Sequence, residues 1–163
     1  MTSPERNEVV IDTKNDEGTE HAILQAHSAA CRLSRIDHQA LMEYLEHADK
    51  IATGFYVALS RLLTNKLTYA SELGATESSS TIAVSGAHLT YAIDDLRPQT
   101  GHLLHREAYL PGKDDINIGS LLGATLIGMS VGDKTPFLQA NGSFRRVRLI
   151  NVDCPAESQA IIG

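Results

Sequence analysis

The chain has 163 residues, of which 42% are hydrophobic and 21% charged, as in an ordinary globular protein with one main domain. It has no run of about 18 apolar residues and no apolar secretory leader, so we expect a cytoplasmic protein without a membrane span. A formal net charge of −6 argues against a nucleic-acid binder that works through bulk positive charge.

The opening segment is acidic. Residues 1–20 hold six of the twenty acidic residues and two of the fourteen basic ones. This pattern predicts a solvated, disordered tail over residues 1–33. The two cysteines, Cys31 and Cys154, lie far apart and have no CxxC partner, so we expect reduced structural thiols and no disulfide framework.

A helical hairpin is predicted over residues 34–74. Asp37 is a candidate N-cap for a helix at 38–47, where apolar residues recur at helical spacing. Thr53-Gly54 breaks the pattern, and a second amphipathic helix fits residues 55–73, with Gly74 as its C-cap. Two such helices joined by a short turn form an antiparallel pair.

A second domain is predicted over residues 81–157, beyond a Ser-rich linker. Alternating apolar residues indicate strands at 81–85 and 89–93, and a weaker pattern indicates one at 103–110. The following segments predict, in order, a strand at 115–118, a helix at 121–129 capped by Ser120, an edge strand at 135–139 and a strand at 144–152. Asn141-Gly142 is a strong hairpin signal between the last two strands. The fold class is therefore α+β, a helical hairpin followed by an antiparallel sheet with one packed helix.

The chain carries no recognisable catalytic or cofactor motif. It lacks a glycine-rich phosphate loop, a GxSxG elbow and an HExxH pair. His102 and His105 have a spacing that suits a metal only on a helix, and the predicted strand there favours a structural or solvated role. We therefore expect no catalytic residue, no metal and no cofactor.

One basic cluster stands out in the acidic chain. Arg145, Arg146 and Arg148 lie on the last predicted strand, with 146 and 148 on one side and 145 on the other. The cluster fits a solvated sheet face, an acidic protein surface or a phosphate. In a net-acidic chain it suits a protein partner better than duplex DNA.

The ordered motifs of the C-terminal part resemble a known family. The stretch 115–133 ends in Val-Gly-Asp and is followed by the Asn-Gly hairpin and the Arg-bearing strand. This order resembles the C-terminal domain of the bacterial Gre transcript-cleavage factors, and more closely the regulator of nucleoside diphosphate kinase (Rnk). The resemblance covers residues 81–157, whereas the helical hairpin resembles the family only in architecture.

The resemblance implies an FKBP-like domain behind a short coiled coil. It implies a monomer that binds RNA polymerase at the rim of the secondary channel, with the coiled coil pointing inward and no sequence-specific nucleic-acid contact. In Gre proteins a Ser-Pro loop contacts the polymerase. Here the corresponding residues are Gly119, Ser120, Leu121 and Leu122, with Leu121 in place of the proline.

The coiled-coil tip differs from that of Gre factors, in which an Asp and a Glu help to hold a second Mg²⁺ ion. The tip residues here are Glu46, His47, Asp49 and Lys50, and the Asp-Leu-Ser-Glu-Asn pattern is absent. A short helix also limits the reach of the hairpin. We therefore expect a polymerase-binding regulator that does not stimulate transcript cleavage.

Three alternatives remain open from the sequence. The first is an active Gre-like cleavage and elongation factor. The second is a regulator of nucleoside diphosphate kinase that acts through another protein partner. The third is a prolyl isomerase, which the small number of aromatic residues disfavours because such an enzyme needs an aromatic-lined pocket.

Overall fold

The computed structural model describes residues 18–74, 81–104 and 114–153, which form a helical N-terminal part and a five-stranded sheet. Residues 1–17, 75–80, 105–113 and 154–163 lie outside the described residues. They include most of the predicted tail, the Ser-rich linker, most of the predicted strand at 103–110 and the predicted end of the second domain. No helix in the described ranges is long and apolar enough to cross a bilayer.

The expectation of a disordered tail up to residue 33 is wrong for residues 18–33. Residues 18–29 form helix α1, and Arg32–Leu33 form the short strand β1. Leu24, His27 and Ser28 are buried on one face of α1. The buried positions have the spacing of an amphipathic helix. Because two of the three buried residues are polar, a search for regularly spaced apolar residues does not find this helix.

The helical hairpin is present and longer than predicted in its first arm. Helix α2 spans Arg35–Ile51 and helix α3 spans Phe55–Tyr69, and the two pack against each other along their length. Ser34, and not Asp37, is the N-cap of α2, because its side-chain oxygen accepts the backbone N–H of Asp37 at 3.0 Å. Asp37 lies buried in the first turn and accepts the backbone N–H of Ser85.

The second arm of the hairpin ends early, at Tyr69, with Ala70 as its C-cap in place of the predicted Gly74. The chain then forms strand β2, Ser71–Glu72, which pairs in parallel with β1. This two-stranded sheet joins the segment before the hairpin to the segment after it.

The main sheet has the strand order β5-β4-β3-β7-β6. Its strands are β3 (His88–Ile93), β4 (Gln99–Leu104), β5 (Asp115–Asn117), β6 (Lys134–Leu138) and β7 (Phe144–Asp153). The α+β class is confirmed, but the sheet is mixed, because β4 and β5 pair in parallel while the other neighbours are antiparallel. A parallel pair cannot be joined by a tight hairpin, and residues 105–114 separate β4 from β5 along the chain.

The predicted strand at 81–85 is reduced to an isolated bridge between Ile82 and Ser130. The Asn141-Gly142 turn joins β6 to β7 as predicted, and Pro136 lies on the edge strand β6. Helix α4 spans Leu121–Leu126 and is shorter than the predicted 121–129. Its Gly123 lies against the end of β5, where a Cβ would come 2.0 Å from the carbonyl oxygen of Asn117.

Candidate functional site

The hairpin tip is an exposed turn closed by contacts between its own two helices. Ala52 ends α2 in a left-handed conformation with φ 50°, and Gly54 begins α3 with φ 60°. The ring of His47 meets the ring of Tyr56 edge-on at 5.8 Å. Of the predicted tip residues, Glu46, His47, Asp49 and Lys50 are all exposed.

The carboxylate of Asp49 is already engaged within the hairpin. Its Oδ1 accepts a hydrogen bond from the Ser60 hydroxyl at 2.5 Å. Glu46 lies almost one helical turn further back on α2. The tip therefore presents one acidic side chain, held against its neighbouring helix.

The base of the hairpin is docked on the sheet domain. The Tyr44 hydroxyl donates to Oδ1 of Asn117 at 2.9 Å. A Cβ on Gly119 would lie 2.4 Å from the Tyr44 ring, so glycine permits this close approach. About seven residues of α2 follow Tyr44, which gives a reach of roughly 10 Å beyond the docking point at 1.5 Å per residue.

The predicted polymerase-binding loop lies at the same docking point. Ser120 caps α4 as expected, because its Oγ accepts the backbone N–H of Gly123 at 3.0 Å, and it donates to the carbonyl oxygen of Asn117 at 2.6 Å. Leu121 is buried, whereas Gly119, Ser120 and Leu122 are partly exposed. The loop thus joins the hairpin base to the sheet and leaves a partly exposed strip.

The basic cluster lies exposed on β7, as predicted. Arg145 donates to the Asp94 carboxylate at 2.8 Å, and this contact, together with the backbone N–H of Arg146, lowers the pKa of Asp94. Arg146 and Arg148 are both exposed. Lys134 on β6 lies directly opposite Arg148, so three cations occupy one side of the β6–β7 hairpin. The sequence interpretation missed Lys134, although counting back from the Asn-Gly turn would have paired it with Arg148.

A buried polar cluster lies behind the hairpin base, and sequence reasoning missed it as well. Lys66 on α3 is fully buried, and its Nζ donates to the carbonyl oxygens of Thr125 at 3.1 Å and Ile127 at 2.9 Å. The same Nζ lies 2.9 Å from Nε2 of His27 and 3.3 Å from Sγ of Cys31. The Nδ1 of His27 lies 3.0 Å from the Thr135 hydroxyl. The Lys66 cluster, defined as Lys66, His27, Cys31 and Thr135, joins α1, α3, α4 and β6.

Burial shifts the ionisation of each titratable member of the Lys66 cluster. Burial lowers the pKa of the Lys66 ammonium and raises the pKa of the Cys31 thiol, and the contact between the two opposes both shifts. Burial and the nearby Lys66 charge hold the pKa of His27 well below its ordinary value of 6.5. His27 is therefore neutral at physiological pH, and its Nε2 can accept a hydrogen bond from Lys66.

The described histidines and acids form no metal site. Among residues 18–74, 81–104 and 114–153, no group of three or more His, Cys, Asp or Glu side chains is placed to hold an ion. His102 stacks on His88 with ring centroids 4.3 Å apart and lies 3.8 Å from the Asp115 carboxylate. His105, its predicted partner by spacing, lies outside the described residues.

Comparison with known proteins adds a likeness of fold. No protein-family model matches the chain, and no curated protein matches it in sequence. A solved GreA/GreB transcription elongation factor from Nitrosomonas europaea superposes with a TM-score of 0.54 at 19% identity, covering 76% of this chain and 98% of the other. GreA factor homolog 1 (Gfh1) of Thermus thermophilus has a TM-score of 0.36 at 17% identity, covering 75% of this chain and 97% of the other. Gfh1 of Thermus aquaticus has a TM-score of 0.38 at 16% identity, covering 76% of this chain and 97% of the other. The chain therefore has the fold of a GreA/GreB transcription elongation factor.

Proposed function

We propose that the chain is a transcription regulator that binds RNA polymerase at the rim of the secondary channel, inserts its helical hairpin and does not stimulate transcript cleavage. The observation that carries this proposal is the fold, a helical hairpin joined to a sheet domain in the arrangement of a GreA/GreB factor. In this proposal the protein is a cytoplasmic monomer that acts through binding and is not itself an enzyme.

The hairpin tip supports binding without cleavage. Positioning a second Mg²⁺ ion requires carboxylate oxygens that are free to coordinate it. The tip offers Asp49, whose Oδ1 accepts the Ser60 hydroxyl, and Glu46 lies further back on the same helix. The hairpin also extends only roughly 10 Å past its docking point at Tyr44. Such a hairpin can occupy space in a channel but is poorly equipped to hold a metal ion deep inside it.

Two surfaces of the sheet domain are proposed to contact the polymerase. One is the partly exposed strip of Gly119, Ser120 and Leu122 at the hairpin base. The other is the basic side of the β6–β7 hairpin, formed by Lys134, Arg146 and Arg148. A local positive patch on a net-acidic chain suits an acidic protein surface, because the overall charge disfavours non-specific adhesion to nucleic acid.

Site-specific photo-crosslinking tests the placement of the hairpin. A photoreactive residue at the exposed tip position Thr53 should crosslink to the polymerase subunits that line the secondary channel, and one at Leu122 should crosslink to the channel rim. A photoreactive residue at Glu72, which is exposed on the two-stranded sheet, serves as the matched control. Crosslinking of Thr53 to a surface outside the channel, or equal crosslinking from all three positions, would contradict the proposal.

A further inference from the structure

The Lys66 cluster takes no part in the proposed docking surfaces, yet it places two reactive groups side by side. The Nζ of Lys66 and the Sγ of Cys31 are 3.3 Å apart. This separation lies within the range at which two atoms are positioned to react. The nitrogen of Lys66 is fixed there by two backbone carbonyl oxygens from the end of α4, so the pair is preorganised by the fold.

A half-enclosed cavity lies beside Cys31. The cavity has a volume of about 340 Å³ and lies between α1 and β6. Its lining includes His27, Cys31, Thr135 and the apolar residues Ile23 and Met129. Hydrogen peroxide is only slightly larger than water, so this space admits it next to Cys31, which is 1% exposed and is reached when the packing around it opens locally.

We propose that Cys31 and Lys66 form a covalent sulfur–nitrogen cross-link when the protein is exposed to hydrogen peroxide. In the first step Sγ attacks one peroxide oxygen. The S–O bond forms, the O–O bond breaks, and the leaving hydroxide takes the thiol proton to become water. The sulfur loses two electrons and the peroxide gains them, which gives the sulfenic acid.

In the second step the Lys66 amine attacks the oxidised sulfur. The N–S bond forms, the S–O bond breaks, and the hydroxide leaves as water with a proton from the nitrogen. The proton passes directly from the nitrogen to the leaving hydroxide, and His27 Nε2, 2.9 Å from Nζ, helps to orient the amine. The net change is one peroxide consumed, two waters formed and two hydrogens lost from the protein.

The surroundings favour the uncharged reactants that this step needs. Burial lowers the pKa of the Lys66 ammonium, which raises the fraction of nucleophilic amine. The same surroundings keep His27 neutral, so its Nε2 can accept a hydrogen bond from the amine. The cross-link would fasten α3 of the hairpin to the residue that precedes β1, and so fix the hairpin against the N-terminal segment.

Intact-mass and peptide-mapping measurements on the full chain test the cross-link. A Cys154→Ser background removes the competing thiol. After peroxide treatment of the folded protein, we expect a species lighter by two hydrogens, a linked peptide joining residues 31 and 66, and reversal by a thiol reductant. The same chain treated in urea, where the geometry is lost, should give at least about tenfold less linked peptide and should instead gain oxygen on Cys31.

Two variants complete the test. Lys66→Met removes the nucleophile and should gain oxygen without cross-linking, while Lys50→Met, at an exposed lysine, should cross-link like the parent. A species that has lost two hydrogens and then gained one oxygen, with residues 31 and 66 still linked, also supports the proposal. A folded chain that accumulates only sulfinic or sulfonic acid overturns it. So does a folded chain whose Cys31 stays unmodified under conditions that fully oxidise the unfolded chain.

Discussion

The base and the tip of the helical hairpin are held by opposite kinds of contact. At the base, the fully buried Lys66 and the half-buried Tyr44 bind groups of the sheet domain, and Gly119 allows the close approach. At the tip, the Asp49–Ser60 hydrogen bond is exposed and lies within the hairpin itself. Buried polar contacts are costly to break and exposed ones are cheap. The base therefore fixes the direction of the hairpin, and the tip is free to vary without loss of stability.

The largest effect is expected at the buried lysine. Lys66→Met keeps an unbranched side chain but leaves two carbonyl oxygens and His27 Nε2 without their donor. We expect the free energy of unfolding to fall by about 3 kcal/mol, since each orphaned buried acceptor costs about 1–3 kcal/mol. Urea unfolding measures the change, and Lys50→Met on the exposed part of α2 is the control. A loss of stability no greater than that of Lys50→Met would show that the base is not held by this cluster.

The next effect is expected where the hairpin touches the sheet domain. Gly119→Ala places a Cβ against the Tyr44 ring and must displace it from Asn117. Overpacking of this kind costs about 1–3 kcal/mol. Thermal or urea unfolding measures it. Gly18→Ala, with no atom within 4 Å of its added Cβ, should be close to neutral. Equal stabilities of the two variants would contradict the close contact.

A smaller effect follows from the protonation of His27. Its pKa is lower in the folded chain than in the unfolded chain, so the stabilisation is present above pH 6.5 and is lost as pH falls. Below pH 6.5 the unfolded chain takes up a proton that the folded chain does not, so the unfolding free energy should decrease as the pH falls. We expect His27→Gln to remove this part of the pH dependence of the unfolding free energy, whereas His38→Gln, at an exposed histidine, retains it. Parallel pH profiles for the parent and His27→Gln would rule out the buried neutral imidazole.

The smallest effect is expected at the tip. Asp49→Ala removes an exposed hydrogen bond with Ser60 and should change the unfolding free energy by less than about 0.5 kcal/mol. Ser60→Ala should behave in the same way, since it removes the other partner of the same bond. A double-mutant cycle in urea checks both. A coupling free energy between Asp49 and Ser60 well above this value would contradict the claim that the tip contributes little to stability.

Regular patterns made much of the fold predictable from the sequence. The apolar spacing of α3, the Ser120 cap, and the Asn141-Gly142 turn are local signals, and each element is found where its signal lies. The exposure of the basic cluster was predictable from the alternation of polar and apolar residues along β7. Local signals succeed here because the polar and apolar sides of each element agree with its period.

The parts that escaped prediction depend on contacts between distant residues. Helix α1 buries His27 and Ser28, whose polar character hides the helical period, and His27 is held by Lys66 from α3 and Thr135 from β6. Strand β4 begins at Gln99 because its polar residues pair with β3, which no composition rule anticipates. The hairpin base depends in the same way on Tyr44 meeting Asn117.

A transcript-cleavage assay on backtracked RNA polymerase tests the central claim most directly. With increasing amounts of this chain and a fixed amount of an active Gre factor, we predict that cleavage falls as the chain takes the channel, while the chain alone releases no cleaved RNA. Cleavage by the chain alone that is lost in Asp49→Ala, or Gre-stimulated cleavage that is unchanged at saturating amounts of the chain, would contradict the account.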